Sequence, residues 1–124
     1  MKRFIPFSIA LGALSLSTPS WAVGDAAQGK LVYQARCTAC HSVDFNGVGP
    51  AHKGVFGRRV GQAAGYTYSP ALQAAKVTWT AETLDRWLSD PEKFLPGQRM
   101  GISLDGARER ADVIAYLKSL SPRE

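Results

Sequence analysis

The apolar positions of this chain fall into short helical stripes separated by glycine-rich stretches. Beyond an apolar run from Phe4 to Leu16, Asp25 can cap a helix. An aspartate at that position accepts hydrogen bonds from the free N–H groups of the first turn. The helix predicted from it runs to about Thr38, with Ala26, Leu31, Tyr33 and Ala35 as its apolar content. Ser42 to Gly65 is rich in glycine, contains Pro50, and reads as ordered loop. Ser69-Pro70 pairs a cap with a proline at the first helical position, which predicts a short helix through Ala75. Thr80 can cap a further helix with Leu84, Trp87 and Leu88 as its inner stripe, and Pro91 follows its end. Phe94 to Gly106 is loop again, turning at Pro96-Gly97. The last helix is predicted from about Ala107 to Leu120. In it Ala107, Ala111, Ile114 and Leu117 recur at helical spacing, and Val113, Tyr116 and Leu120 widen the stripe. No segment sustains a period of two, so the expected class is all-α.

The chain has 124 residues, 45% of them hydrophobic and 20% charged, which suits one soluble globular domain. No repeat or low-complexity stretch divides it. Lys2 and Arg3, the apolar run after them, and the small residues of Ser20-Trp21-Ala22 form the pattern of an export signal. Residues 1–22 are therefore expected to be a cleaved signal peptide and 23–124 the working domain. The competing reading is an anchor that is never removed, but the run is short for a bilayer span and Pro6 interrupts it. No Cys stands near the cleavage point to take a lipid. No other membrane span is expected after processing, and export of this kind points to a bacterial periplasm. The net charge is +5, of which Lys2 and Arg3 supply two, leaving 5 − 2 = +3 on the domain. A weak, scattered positive charge suits an acidic protein surface better than nucleic acid.

Both cysteines lie in the string Cys37-Thr38-Ala39-Cys40-His41. Residues three and four apart share one face of a helix, so two thiols and an imidazole project together. Two thiols can add to the two vinyl groups on one porphyrin edge while the imidazole reaches the iron. The string is accordingly read as the attachment site of one covalent haem c, with Cys37 and Cys40 as thioether links and His41 as an iron ligand. Thioether attachment also explains two cysteines in an oxidising compartment. Three other readings are weaker. A thioredoxin-like pair wants a strand–helix–strand context, and the stretch before Cys37 is helical. A structural zinc needs four ligands, and His52 is the one other histidine. A disulfide across two residues would do little for the fold.

Met100 is the candidate for the other face of the iron. It is the one methionine after the initiator and follows the turn Pro96-Gly97-Gln98-Arg99. A thioether is soft and uncharged, and a Met/His pair raises the reduction potential. A lone methionine is more often core filler, but a haem motif upstream reverses that preference. His52 is the rival, eleven residues after His41 on the same loop. So short a tether keeps it on the His41 side, so it is read as a loop or packing histidine.

These residues, taken in order, resemble the class I cytochromes c, the group of mitochondrial cytochrome c and its short bacterial relatives. The resemblance covers nearly all of Gly24 to Leu120. It rests on Cys37-x-x-Cys-His41, Gly49-Pro50, Gly57-Arg58, Tyr66-Thr-Tyr68, Trp79, Pro91, Pro96-Gly97-x-x-Met100 and a last helix ending in Ala115-Tyr116-Leu117. It implies a cytochrome c fold of three to five helices and ordered loops wrapped around one covalent haem c. It implies that Met100 is the axial methionine and that the Pro50 carbonyl accepts a hydrogen bond from His41. Arg58, Tyr68 and Trp79 match groups that hold a buried haem propionate. Gly29 and Tyr33 match the contact of the first helix with the last, with Val113 and Tyr116 opposite.

The chain also departs from the family's pattern. His52 stands where Leu is usual, Leu72 where many members have Asn, Gln98 for a common Thr, Trp87 for a common Tyr, and Ile102 for a common aromatic. Arg36, Lys93 and Arg99 match basic positions, but Glu92 stands where Lys is common. The expected function is that of a periplasmic electron carrier, not an enzyme, passing single electrons between a redox protein donor and acceptor. The thin basic ring motivates an alternative: a dedicated cytochrome subunit of a periplasmic dehydrogenase, for a sulfur compound or an alcohol. A haem enzyme or gas sensor with an open iron site is a third reading, and it would require Met100 to leave the iron free.

Overall fold

A computed structural model describes residues 23–122. The expected signal peptide, 1–22, lies outside the described residues. The elements are α1 (Ala26–Arg36), α2 (Pro70–Ala74), α3 (Ala81–Ser89), α4 (Pro91–Phe94) and α5 (Ala107–Ser119). Among the described residues the β structure is one isolated antiparallel bridge, Arg59 to Thr78. The all-α expectation holds. Among the same residues no helix is long and apolar enough to cross a membrane.

The caps act as the sequence implies. The Asp25 carboxylate accepts from the N–H groups of Ala27 at 2.9 Å and Gln28 at 3.1 Å. Ser69 caps α2, and Thr80 and Thr83 form a reciprocal capping box at the start of α3. Helix α1 stops at Arg36, short of the expected Thr38, and Cys37 caps its end. Its apolar content is not a stripe: Gly29 and Tyr33 are buried, whereas Leu31 is 58% exposed and Ala35 faces outward. Helix α4 was not expected. Asp90-Pro91 is a cap followed by proline, like Ser69-Pro70, and the Asp90 carboxylate accepts from Lys93 N–H at 3.1 Å.

Helix α5 packs across α1. Its inward face is Asp112, Val113, Ile114 and Leu117, and Ala107, expected in the stripe, is exposed. The crossing sets that face. A Cβ on Gly29 would overlap the Asp112 carbonyl and sit 2.9 Å from Tyr116 Cβ. The backbone of Asp112, not Val113, is therefore what Gly29 meets. Gly24 approaches the Ala111 carbonyl in the same way. The Asp112 carboxylate is buried beside this contact, where it accepts from Asp25 N–H at 2.8 Å and pairs with Arg108 at 3.1 Å. At the other end, Arg110 pairs with Asp85 of α3 at 2.7 Å. It also donates to the carbonyls of Leu104 and Asp105, fixing the chain that enters α5.

Gly29→Ala forces a methyl group onto a backbone carbonyl, which no rotamer change relieves. The expected loss of stability is about 1–3 kcal/mol, read as a lower midpoint in denaturant unfolding of the holoprotein. An unchanged midpoint would mean that α1 and α5 do not depend on this approach.

Candidate functional site

The buried apolar side chains form one cluster, and part of it faces an internal cavity. Tyr33, Val55, Leu84, Leu104, Val113 and Leu117 belong to the core cluster and also line a cavity of ≈ 360 Å³. All eight residues singled out from sequence line the same cavity: Cys37, Cys40, His41, Pro50, Arg58, Tyr68, Trp79 and Met100.

The Cys37–His41 string forms a tight turn after α1, not the last turn of the helix. The N–H groups of Cys40 and His41 both donate to the Cys37 carbonyl, at 3.1 and 2.8 Å. That turn keeps the shared face on which the helical spacing argument relied. The two sulfurs are half-buried and not joined in a disulfide. Burial raises the Cys37 thiol to about 11, against the opposing pull of Arg36, so it is neutral at physiological pH.

His41 Nδ1 lies 2.8 Å from the Pro50 carbonyl. A carbonyl can only accept, so Nδ1 carries the proton and Nε2 holds the lone pair. Burial lowers the His41 pKa, and the Pro50 bond works the other way. Gly49 makes the fit possible, because a Cβ there would overlap the imidazole ring. His52 stacks on His41 with ring centroids 4.1 Å apart and planes 21° apart. Its Nδ1 is hydrogen-bonded to the Tyr33 hydroxyl at 3.0 Å. Burial first, then the charges of His41 and Arg58, bring the His52 pKa down to about 3. It is a neutral packing partner on the His41 side. Burial holds the Tyr33 phenol well above its ordinary range.

Met100 lines the cavity from the loop after Pro96-Gly97, where Gly97 takes a φ of +90°. Leu72 and Trp87 line it as well, and Trp87 tilts against Trp79 at 5.5 Å. The polar part of the wall is built on a backbone link: Trp79 N–H donates to the Arg58 carbonyl at 2.9 Å, and Gly57 N–H to the Trp79 carbonyl at 2.7 Å. The guanidinium of Arg58 donates to the carbonyls of Lys53 and Ala51, each at 3.2 Å, while its Nε is buried with no partner. The Tyr68 hydroxyl oxygen accepts from Ala63 N–H at 2.9 Å, which leaves its proton to be donated.

Sequence reasoning missed the residues that hold the loop under His41. Asn46 accepts from Ala51 N–H and donates to the Ala64 carbonyl, both at 2.9 Å. The Tyr66 hydroxyl donates to the Val48 carbonyl at 2.6 Å. Together they fasten the loop carrying Gly49 and Pro50 to the chain before Tyr68. Nothing distinguishes Asn46 from any polar loop residue, and Tyr66 signalled only the resemblance.

The donor set fits a haem. Two thiols and an imidazole lone pair converge on one cavity with apolar walls, and a buried cationic N–H lacks the acceptor that a carboxylate would supply. Among the described residues there is no group of three or more His, Cys, Asp or Glu that could hold a metal ion.

Comparison with known proteins points to one family. The family model described as cytochrome c matches residues 26–121. Cytochrome c of Euglena viridis is 40% identical over 100 residues, covering 78% of this chain and 98% of that protein. Cytochrome c2 iso-1 of Magnetospirillum molischianum is 44% identical over 90 residues, covering 68% of this chain and 90% of that protein. The solved structure of cytochrome cH from Methylobacterium extorquens superposes with a TM-score of 0.74 at 43% identity, covering 77% of this chain and 99% of that one.

Gly49→Ala crowds the His41 ring and loosens its bond to Pro50. About tenfold faster solvent exchange of the His41 Nδ1 proton is expected by NMR, a change of the size that overpacking produces. Unaltered exchange would show that Gly49 does not set the ring's position.

Proposed function

The chain belongs to the cytochrome c family, and on that premise we propose that it carries single electrons between redox proteins in the periplasm through a haem held by His41 and Met100. Members of this family bind one covalent haem c and act as electron carriers, not enzymes. When bound, the haem supplies a one-electron iron couple.

The residues divide the work. Cys37 and Cys40 hold the group by thioether bonds. His41 presents Nε2 to the iron, and the Pro50 carbonyl fixes the ring and raises its basicity. Arg58, Tyr68 and Trp79 offer donors to a buried propionate. Met100 carries the proposal, because it lines the same cavity as Cys37, Cys40 and His41. A thioether there favours the reduced iron and leaves no position for a small substrate. That supports a carrier over an open-site enzyme or gas sensor. The basic start, apolar run and Ser20-Trp21-Ala22 of the leader support export, as does likeness to bacterial relatives.

The test is a redox titration of the holoprotein beside Met100→Ala. The native protein is expected to follow a one-electron curve, show a sulfur–iron absorption band, and leave carbon monoxide unbound at neutral pH. Met100→Ala is expected to lose the band, fall in potential and bind carbon monoxide. An unchanged Met100→Ala spectrum, or carbon monoxide binding by the native protein, would overturn the closed site.

A further inference from the structure

Two of the departures noted in the sequence touch each other beside the Met100 loop. The Glu92 carboxylate accepts from Gly97 N–H at 3.0 Å and from the Gln98 side-chain amide at 3.1 Å. The Gln98 carbonyl oxygen accepts in turn from the Met100 N–H. The result is a continuous relay from α4 to the backbone of Met100. The Gly97 bond, then the Gln98 bond, hold the Glu92 carboxyl below its ordinary range, so it remains an acceptor at neutral pH.

The pairing has a chemical logic. Both groups facing position 92, an N–H and an NH₂, are donors. A lysine there carries three donors and no acceptor, and could satisfy neither. A threonine at 98 is too short to span from Glu92 to the Met100 N–H. The Gln98 amide joins the two departures, each of which also holds a backbone N–H of the loop. The loop has few other holds. Upstream, Gln98 N–H donates to the Leu95 carbonyl at 3.2 Å. Downstream, Arg36 reaches the Ser103 carbonyl at 3.3 Å, and Leu104 N–H is anchored on Leu88 at 2.7 Å. Between these points Gly101 and Ile102 are exposed.

We propose that Glu92 and Gln98 are positioning residues that clasp the Met100 loop and set how firmly Met100 closes the iron against an incoming ligand. The inference rests on Met100 being the ligand. A ligand that binds only the open form has its apparent affinity reduced by the open fraction. Loosening the clasp raises that fraction without altering the haem or His41.

Imidazole binding to the oxidised holoprotein at fixed pH reads the open fraction. Glu92→Ala and Gln98→Ala are each expected to raise imidazole affinity by roughly three- to tenfold, the worth of about one net hydrogen bond. The double variant should gain less than the product of the two, because both act on one relay. Glu92→Gln keeps an acceptor for Gly97 and should recover part of the closure, whereas Glu92→Lys should not. Amide exchange at Gly97 and Met100 should quicken in step with imidazole affinity. Affinity and exchange unchanged in both alanine variants, with the sulfur–iron band intact, would overturn the clasp alone. A native protein without that band would overturn the Met100 assignment, and the clasp with it.

Discussion

The inner faces of α1, α3, α5 and the long loops pack into one cluster that also walls a cavity of ≈ 360 Å³. Its walls are largely apolar, so a group that fills it removes apolar surface from water and adds to the stability of the fold. The haem of the cytochrome c family is that group, and it is part of the core as much as a cofactor.

Close backbone approaches and satisfied polar groups then hold the shell in place. Gly24 and Gly29 let α1 and α5 cross without side chains between them. The crossing positions Tyr33, whose hydroxyl holds His52. His52 and Gly49 confine the His41 ring, and Pro50 fixes its tautomer. On the other wall the backbone link between Arg58 and Trp79 brings a cation into the apolar interior with one N–H unmatched. Each constraint tightens a wall of the same cavity. Walls held in this way suit a centre that must change charge with little rearrangement.

Much of this was legible in the sequence, and the failures have physical causes. The caps at Asp25, Ser69 and Thr80 were readable because a cap is a local hydrogen bond. The Cys37–His41 string was readable because its chemistry demands fixed spacing. Helix faces were harder. Leu31 and Ala107 are apolar yet exposed, because the α1–α5 crossing chooses the inward face and that contact is non-local. Helix α4 escaped because Pro91 was read only as the end of α3, although Asp90 caps a new turn. Asn46, the Tyr66 hydroxyl and the Glu92–Gln98 pair bind partners whose proximity no periodicity encodes. His52 was placed on the His41 side by tether length alone, and it stacks on that ring.

In the function proposed, the iron would be closed on both faces by this chain, by the His41 imidazole on one and the Met100 thioether on the other. Iron-edge X-ray absorption of the native holoprotein tests it most directly, recorded in both oxidation states. Six-coordinate iron with one sulfur and five nitrogen neighbours, unchanged on reduction, is expected. A shell of nitrogens alone, or a five-coordinate iron in either state, would contradict it.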